Sequence, residues 1–195
     1  KYAYQLGIKD PDLIEAKRNM SIEVFDQEYG AKFTSMAGRV YPCDRLLDMG
    51  NYPYNRGYQT YCSCDFGYRM PAVAWFQTYM MDGKWHINVI DEYLHEELVS
   101  TEDLLNVIKD KARKYNVLQY FGDPAGAGDI ETFRRAGIRV RCVKDKISRK
   151  LSHGISHVRS FIKNSEGVAR LHIDNSCTGI IEDLESYRYP ESKEG

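Results

Sequence analysis

The sequence predicts an α/β domain with a mixed central sheet, three antiparallel strands followed by parallel ones, flanked by helices. Three observations carry that expectation. Strand-like runs at 58–64, 72–80 and 84–92 follow one another closely, and the last two are joined by M-D-G-K, whose Asp-Gly pair is a strong hairpin signal. S-T-E-D-L-L-N-V-I-K-D-K-A-R-K-Y then reads as an amphipathic helix. Beyond it, short strand and helix patterns alternate, the order expected when parallel strands are joined by crossovers.

Taken in order, Pro11, Leu13, Ile14 and Ala16, then Ile22, Phe25 and Tyr29, predict two short helices with a turn near Ser21, which caps the second. Residues 41–56 are rich in turn formers and read as a linker or long loop. The expected organisation is therefore an arm and linker over 1–56 and a main domain over 57–195. In the helix near 101–115, Leu104, Leu105, Val107, Ile108 and Ala112 fall at helical spacing, with acids early and bases late. V-L-Q-Y-F-G, a continuous apolar run ending at Asp123, suits a strand buried on both faces. A helix stopped by Gly137, a strand, and a long helix over about 147–163 follow. Ile147, Leu151, Ile155, Val158 and Ile162 form the expected buried stripe of that long helix. A-R-L-H-I gives a last strand and C-T-G-I-I-E-D-L-E-S-Y a last helix.

Apolar residues make up 43% and charged residues 28%, with a net charge of -1, which excludes a wholly basic nucleic-acid binder and makes any basic surface local. The five cysteines show no C-x-x-C spacing, so a reducing compartment fits better than a disulfide framework, and Cys62 and Cys64 read as buried thiols. No apolar run approaches membrane-spanning length and the first residues lack a signal-peptide pattern, so the chain reads as cytosolic. It starts at Lys1, as a fragment would.

Asp65 ends the first strand of the main domain and Asp123 ends the fourth. Asp is a poor strand former and costly to bury without a partner. If the fourth strand lies parallel beside the first, both carboxylates leave the same sheet end, roughly 4.8 Å apart strand to strand. Two negative charges so placed repel each other, and Mg²⁺ or Mn²⁺ lets both stay ionised. Such a pair suits two-metal phosphodiester hydrolysis. The plainer alternative is that each Asp caps a turn. Asp91 and Glu92, at the end of the third strand, are weaker candidates, since strand alternation lets only one of them face the site. G-D-P-A-G-A-G-D lacks the lysine of a phosphate-binding loop, which argues against nucleotide binding there.

Lys144, Lys146, Arg149, Lys150, His153, His157, Arg159 and Lys163 crowd one stretch with only Asp145 opposing them, a density suited to phosphate contacts; a solvated helix face is the bland alternative. Lys84 and Trp85 at the hairpin tip could also grip a duplex. His153 and His157 lack the glutamate of an H-E-x-x-H site and read as surface residues.

D-F-G-Y-R-M-P-A-V-A, V-I-D-E-Y, Y-F-G-D-P-A-G and L-H-I-D-N-S-C-T-G-I-I-E-D-L-E-S-Y-R-Y, in this order and spacing, resemble the nuclease domain of tailed-phage terminase large subunits. The arm S-I-E-V-F-D-Q-E-Y-G-A-K-F is similar to the segment that joins that family's ATPase domain to its nuclease. The resemblance implies a ribonuclease H-like fold and a metal-dependent endonuclease that cuts concatemeric viral DNA during packaging in the host cytoplasm. It implies double-stranded DNA, a portal protein, a small terminase subunit and an ATPase domain of the same protein as partners. By motif position Asp65 and Asp123 carry over as Mg²⁺ or Mn²⁺ ligands. Arg69, Met70 and Pro71 stand where many members have an auxiliary acid or polar residue, and the resemblance puts the family's third ligand beyond Gly195, with Asp174 and Asp183 as in-chain substitutes that lie before the expected position. The rival expectations are another ribonuclease H-like enzyme, such as a RuvC-type resolvase or transposase core, and a non-catalytic docking module.

Overall fold

A computed structural model describes residues 10–30, 38–41, 47–67, 70–94, 99–143 and 150–189. Its strands are β1 (Asp48–Gly50), β2 (Gln59–Asp65), β3 (Ala72–Met81), β4 (Lys84–Leu94), β5 (Val117–Gly122), β6 (Val140–Arg141) and β7 (Leu171–Asp174). Its helices are α1 (Pro11–Asn19), α2 (Ile22–Gly30), α3 (Thr101–Tyr115), α4 (Ala127–Arg135), α5 (Leu151–Ile162) and α6 (Thr178–Ser186). The strands form one sheet in the order β1-β7-β4-β3-β2-β5-β6. β2, β3 and β4 run antiparallel, while β5 lies parallel to β2 and β6 parallel to β5. The chain divides into two compact units, one of Lys1–Asp48, Lys146–His172 and Ile181–Gly195, the other of Met49–Asp145 and Ile173–Ile180.

In the second unit, the turn between β3 and β4 puts Asp82 at φ 50° and Gly83 at φ 73°. Both central residues left-handed is the geometry whose twist matches a hairpin. Alternation along β3 sends Val73, Trp75 and Gln77 inward, and Trp75 is wholly buried. The helix α3 starts where the Ser100 hydroxyl accepts the N–H of Asp103 at 3.1 Å and stops at Asn116, left-handed at φ 47°. Between these caps, Leu104, Leu105 and Ile108 pack with Cys62, Cys64, Trp75 and Phe133 into one core. Each side chain of this size contributes about 1.5–3 kcal/mol on full burial.

In the first unit, Asp10 caps α1 through the N–H of Asp12 at 2.9 Å, and Ser21 opens α2 through the N–H of Val24 at 3.5 Å. Buried Asn164 donates to the Arg18 carbonyl at 2.9 Å and accepts from Glu166 and Val168, which fastens the end of α1 to the loop after α5.

Four details differ from the sequence reading. The three-residue strand β1 forms inside the expected linker. Strand β5 is not buried on both faces: Leu118 is 62% exposed, on the side away from the core, and only two residues of β6 flank the strand. Leu151 is 68% exposed because it is the first residue of α5; Ile155 and Ile162 are buried as expected, while Arg159 and Ser160 take the remaining inward positions. Ile147 lies outside the described residues.

Candidate metal centre

The parallel register pairs Cys64 with Gly122, so the next residue on each strand, Asp65 and Asp123, leaves the same sheet end side by side. Each acid turns its own chain. Asp65 Oδ1 accepts the N–H of Gly67 at 3.2 Å, and Asp123 Oδ1 accepts the N–H of Ala125 at 2.9 Å while its carbonyl accepts that of Gly126 at 3.1 Å. These local bonds engage Oδ1 alone, and both side chains are exposed. Immediately after Asp65, Phe66 turns down into the core, edge-on to Phe133 of α4 at 5.3 Å.

A cavity of about 290 Å³ opens between the two acids, lined by Asp65, Phe66, Gly67, Asp123, Ala125, Gly126 and Asp129. Asp129 comes from the first turn of α4 and accepts the Thr101 hydroxyl at 2.5 Å. Among the described residues of this lining there are three carboxylates and no basic side chain. Hard oxygen donors without a counter-charge fit Mg²⁺ or Mn²⁺, which take carboxylates and keep several waters. Among the described residues no three His, Cys, Asp or Glu side chains gather as one metal-holding group.

Of the weaker acidic candidates, Glu92, Asp91 and Asp174 have structural partners elsewhere. Glu92 spans the start of α6, accepting the N–H groups of Gly179 and Ile180 at 2.8 Å each. Asp91 accepts the Tyr115 hydroxyl at 2.6 Å and bonds Lys111. Burial works to raise the pKa of Asp174, but the Ser176 hydroxyl and N–H and the Tyr52 N–H outweigh it and hold the carboxyl below its usual range. Asp183 is exposed on α6. Beside these acids Cys177 is buried, and burial followed by the charges of Glu92, Asp174 and Asp91 pushes its thiol up to about 12.

Among the basic candidates, Lys150 is exposed at the start of α5, and exposed His153 sits one turn further on with its Nε2 3.0 Å from that of His157. Lys84 is half-buried at the hairpin. Arg159 is buried and donates to the Val40 carbonyl at 2.8 Å and to the Tyr189 hydroxyl, so it serves the fold. Lys144, Lys146 and Arg149 lie outside the described residues, as does Arg69.

No family model matches the chain. It is 22% identical over 187 residues to the terminase large subunit of Escherichia phage T5, a match that covers 91% of this chain and 40% of that protein. Its structure is similar to the large terminase of a thermophilic bacteriophage in complex with ADP, at TM-score 0.71 and 16% identity, covering 95% of this chain and 46% of that one. It is also similar to the nuclease domain of the bacteriophage SPP1 large terminase with bound Mn, at TM-score 0.57 and 20% identity, covering 77% of this chain and 83% of that one. The chain has the fold of a terminase nuclease domain. That fold is ribonuclease H-like, as the motif order implied, and this chain spans less than half the length of the phage T5 protein and of the thermophilic phage terminase. Two features of this terminase nuclease fold were not drawn from the sequence: Asp129 in the cavity, and the seat of Phe66. The first stood six residues after Asp123, at the start of the helix stopped by Gly137, and was not weighed as a site residue. The second depends on contacts between segments more than fifty residues apart and leaves no local pattern.

Proposed function

We propose that this chain is a metal-dependent DNA endonuclease domain that cuts concatemeric viral DNA during genome packaging, with Asp65 and Asp123 as ligands of Mg²⁺ or Mn²⁺. The observation that carries the reading is the pair of carboxylates leaving adjacent parallel strands into one cavity whose described lining has no basic side chain. Divalent ions bound there would activate a water as nucleophile and stabilise the leaving oxygen of a phosphodiester. The protein's part is positional. Backbone N–H groups of Gly67 and Ala125 orient the two carboxylates, and Phe66 closes the cavity floor against the core. A third acidic or histidine ligand would come from outside the described residues.

Lys150 and His153, with Lys144, Lys146, Arg149 and Lys84, would contact DNA phosphates, which gives backbone-dominated binding without base readout. Residues 1–56 would form an arm from an ATPase domain of a longer protein, a reading supported by the greater length of the thermophilic phage terminase and its ADP complex. A portal protein and a small terminase subunit would be its partners in the host cytoplasm. Among the described residues, no helix is long and apolar enough to cross a membrane.

Cleavage of supercoiled plasmid tests the proposal. The chain should nick or linearise DNA with Mn²⁺ or Mg²⁺ and stop on addition of EDTA. Asp65→Asn and Asp123→Asn should each lower the rate at least about 100-fold, the upper end of what even an outer-shell change costs a metal site. Unaltered cutting by both variants would refute the site. Preference for four-way junctions over linear duplex would move the assignment to a resolvase.

A further inference from the structure

We propose that Phe66 is a positioning residue that sets the separation of Asp65 and Asp123 by wedging its ring against Gly122 and Gly126, the glycines that bracket the Asp123 turn. The inference rests on the metal-centre reading above and adds what holds the two ligands in register.

Phe66 follows Asp65 directly, is 8% exposed, and is locked from below by Phe133. Its ring spans the foot of the neighbouring loop. A Cβ at Gly122 would lie 2.7 Å from Phe66 Cε2 and 2.9 Å from Val140 Cγ1. A Cβ at Gly126 would lie 2.6 Å from Phe66 Cδ2, 2.9 Å from its Cβ and 3.0 Å from its Cγ. Both ends of the turn that carries Asp123 therefore rest on one side chain, and that side chain is covalently next to the other ligand. Gly126 has φ -80°, so no left-handed backbone demands glycine there, and the ring beneath it leaves no room for a Cβ. A buried ring braced on a second ring has little room to yield. Extra volume at either glycine should lift the Asp123 turn away from Asp65, and loss of ring volume should let the two drift.

The test is Mn²⁺ binding to the whole chain, followed by the loss of the free-ion electron paramagnetic resonance signal, with circular dichroism as the check on folding. Gly126→Ala and Gly122→Ala should each weaken Mn²⁺ binding by about 10- to 100-fold, the range found when the groups that orient metal ligands are altered. Phe66→Leu removes the Cε2 and Cζ atoms that face Gly122, so Phe66→Leu with Gly122→Ala should bind Mn²⁺ more tightly than Gly122→Ala alone. A merely structural role would make the two changes additive or worse in both stability and binding. Folded Gly126→Ala that binds Mn²⁺ like the parent would overturn the positioning role and leave the metal centre standing. If Gly126→Ala does not fold, a folded Phe66→Leu that binds Mn²⁺ like the parent overturns it equally, because loss of ring volume should let the two acids drift. A parent chain that binds no Mn²⁺ would remove the metal centre and the inference together.

Discussion

Glu92 shows how one acid can be read as chemistry and spent on architecture. Its carboxylate closes the N-terminus of α6 through Gly179 and Ile180, where negative charge meets N–H groups that have no partner inside the helix. Glu92→Ala should cost about 1–2 kcal/mol of stability, read from urea denaturation, without altering Mn²⁺ binding. Cys177, close by, predicts a pH effect. Its thiol is raised from 9.0 to about 12 in the fold, so the folded state favours the neutral form. The stability this contributes is complete below about pH 9 and is lost as pH rises from 9 to 12. Cys177→Ala should flatten the alkaline limb of a thermal-melt series between those values; an unchanged limb would show that other groups dominate it. From sequence, Asp65 and Asp123 stood out because each acid interrupts a strand-forming run. Glu92 and Asp174 were set apart from them by position in the pattern alone, and their hydrogen-bond partners, up to 122 residues away, carried no local signal.

At the scale of elements, the hairpin between β3 and β4 was legible because its signal is local. Asp82 and Gly83 take the left-handed conformations that the Asp-Gly pair announces. A Cβ at Gly83 would meet nothing within 4 Å, so the cost of Gly83→Ala is purely conformational. It should be about 1–2 kcal/mol in chemical denaturation, with far-UV dichroism retained. The helix α3 was equally legible from its caps and its apolar spacing. Strand β1 was not, because three residues leave no periodicity to read. Strand β5 misled for a related reason: a continuous apolar run signals burial on both faces, yet an apolar residue at a sheet edge is tolerated singly, as Leu118 is. Leu151 fits the spacing of the α5 stripe, but a helix's first residue lies before the surface on which its later turns pack.

For the whole molecule, the order of elements fixed the sheet topology more securely than any one motif. Three antiparallel strands followed by β5 parallel to β2 place the two acids at one sheet end, and this juxtaposition is a consequence of topology across 58 residues rather than of local sequence. The division into two units was not foreseen, because helices near the start and near the end of the sequence join in one of them. With a net charge of -1, the DNA binding proposed for this chain would rest on local clusters. Lys150→Glu should therefore weaken duplex binding at low salt and make the dependence of log affinity on log salt shallower by about one or two units, measured by fluorescence anisotropy. Affinity and slope both equal to the parent's would remove α5 from the DNA surface. The central claim is the metal pair itself, and anomalous diffraction at the manganese edge from crystals soaked in Mn²⁺ tests it most directly. A peak within coordination distance of both Asp65 and Asp123 is the result this account predicts; manganese bound elsewhere, with those two carboxylates left to solvent, would contradict it.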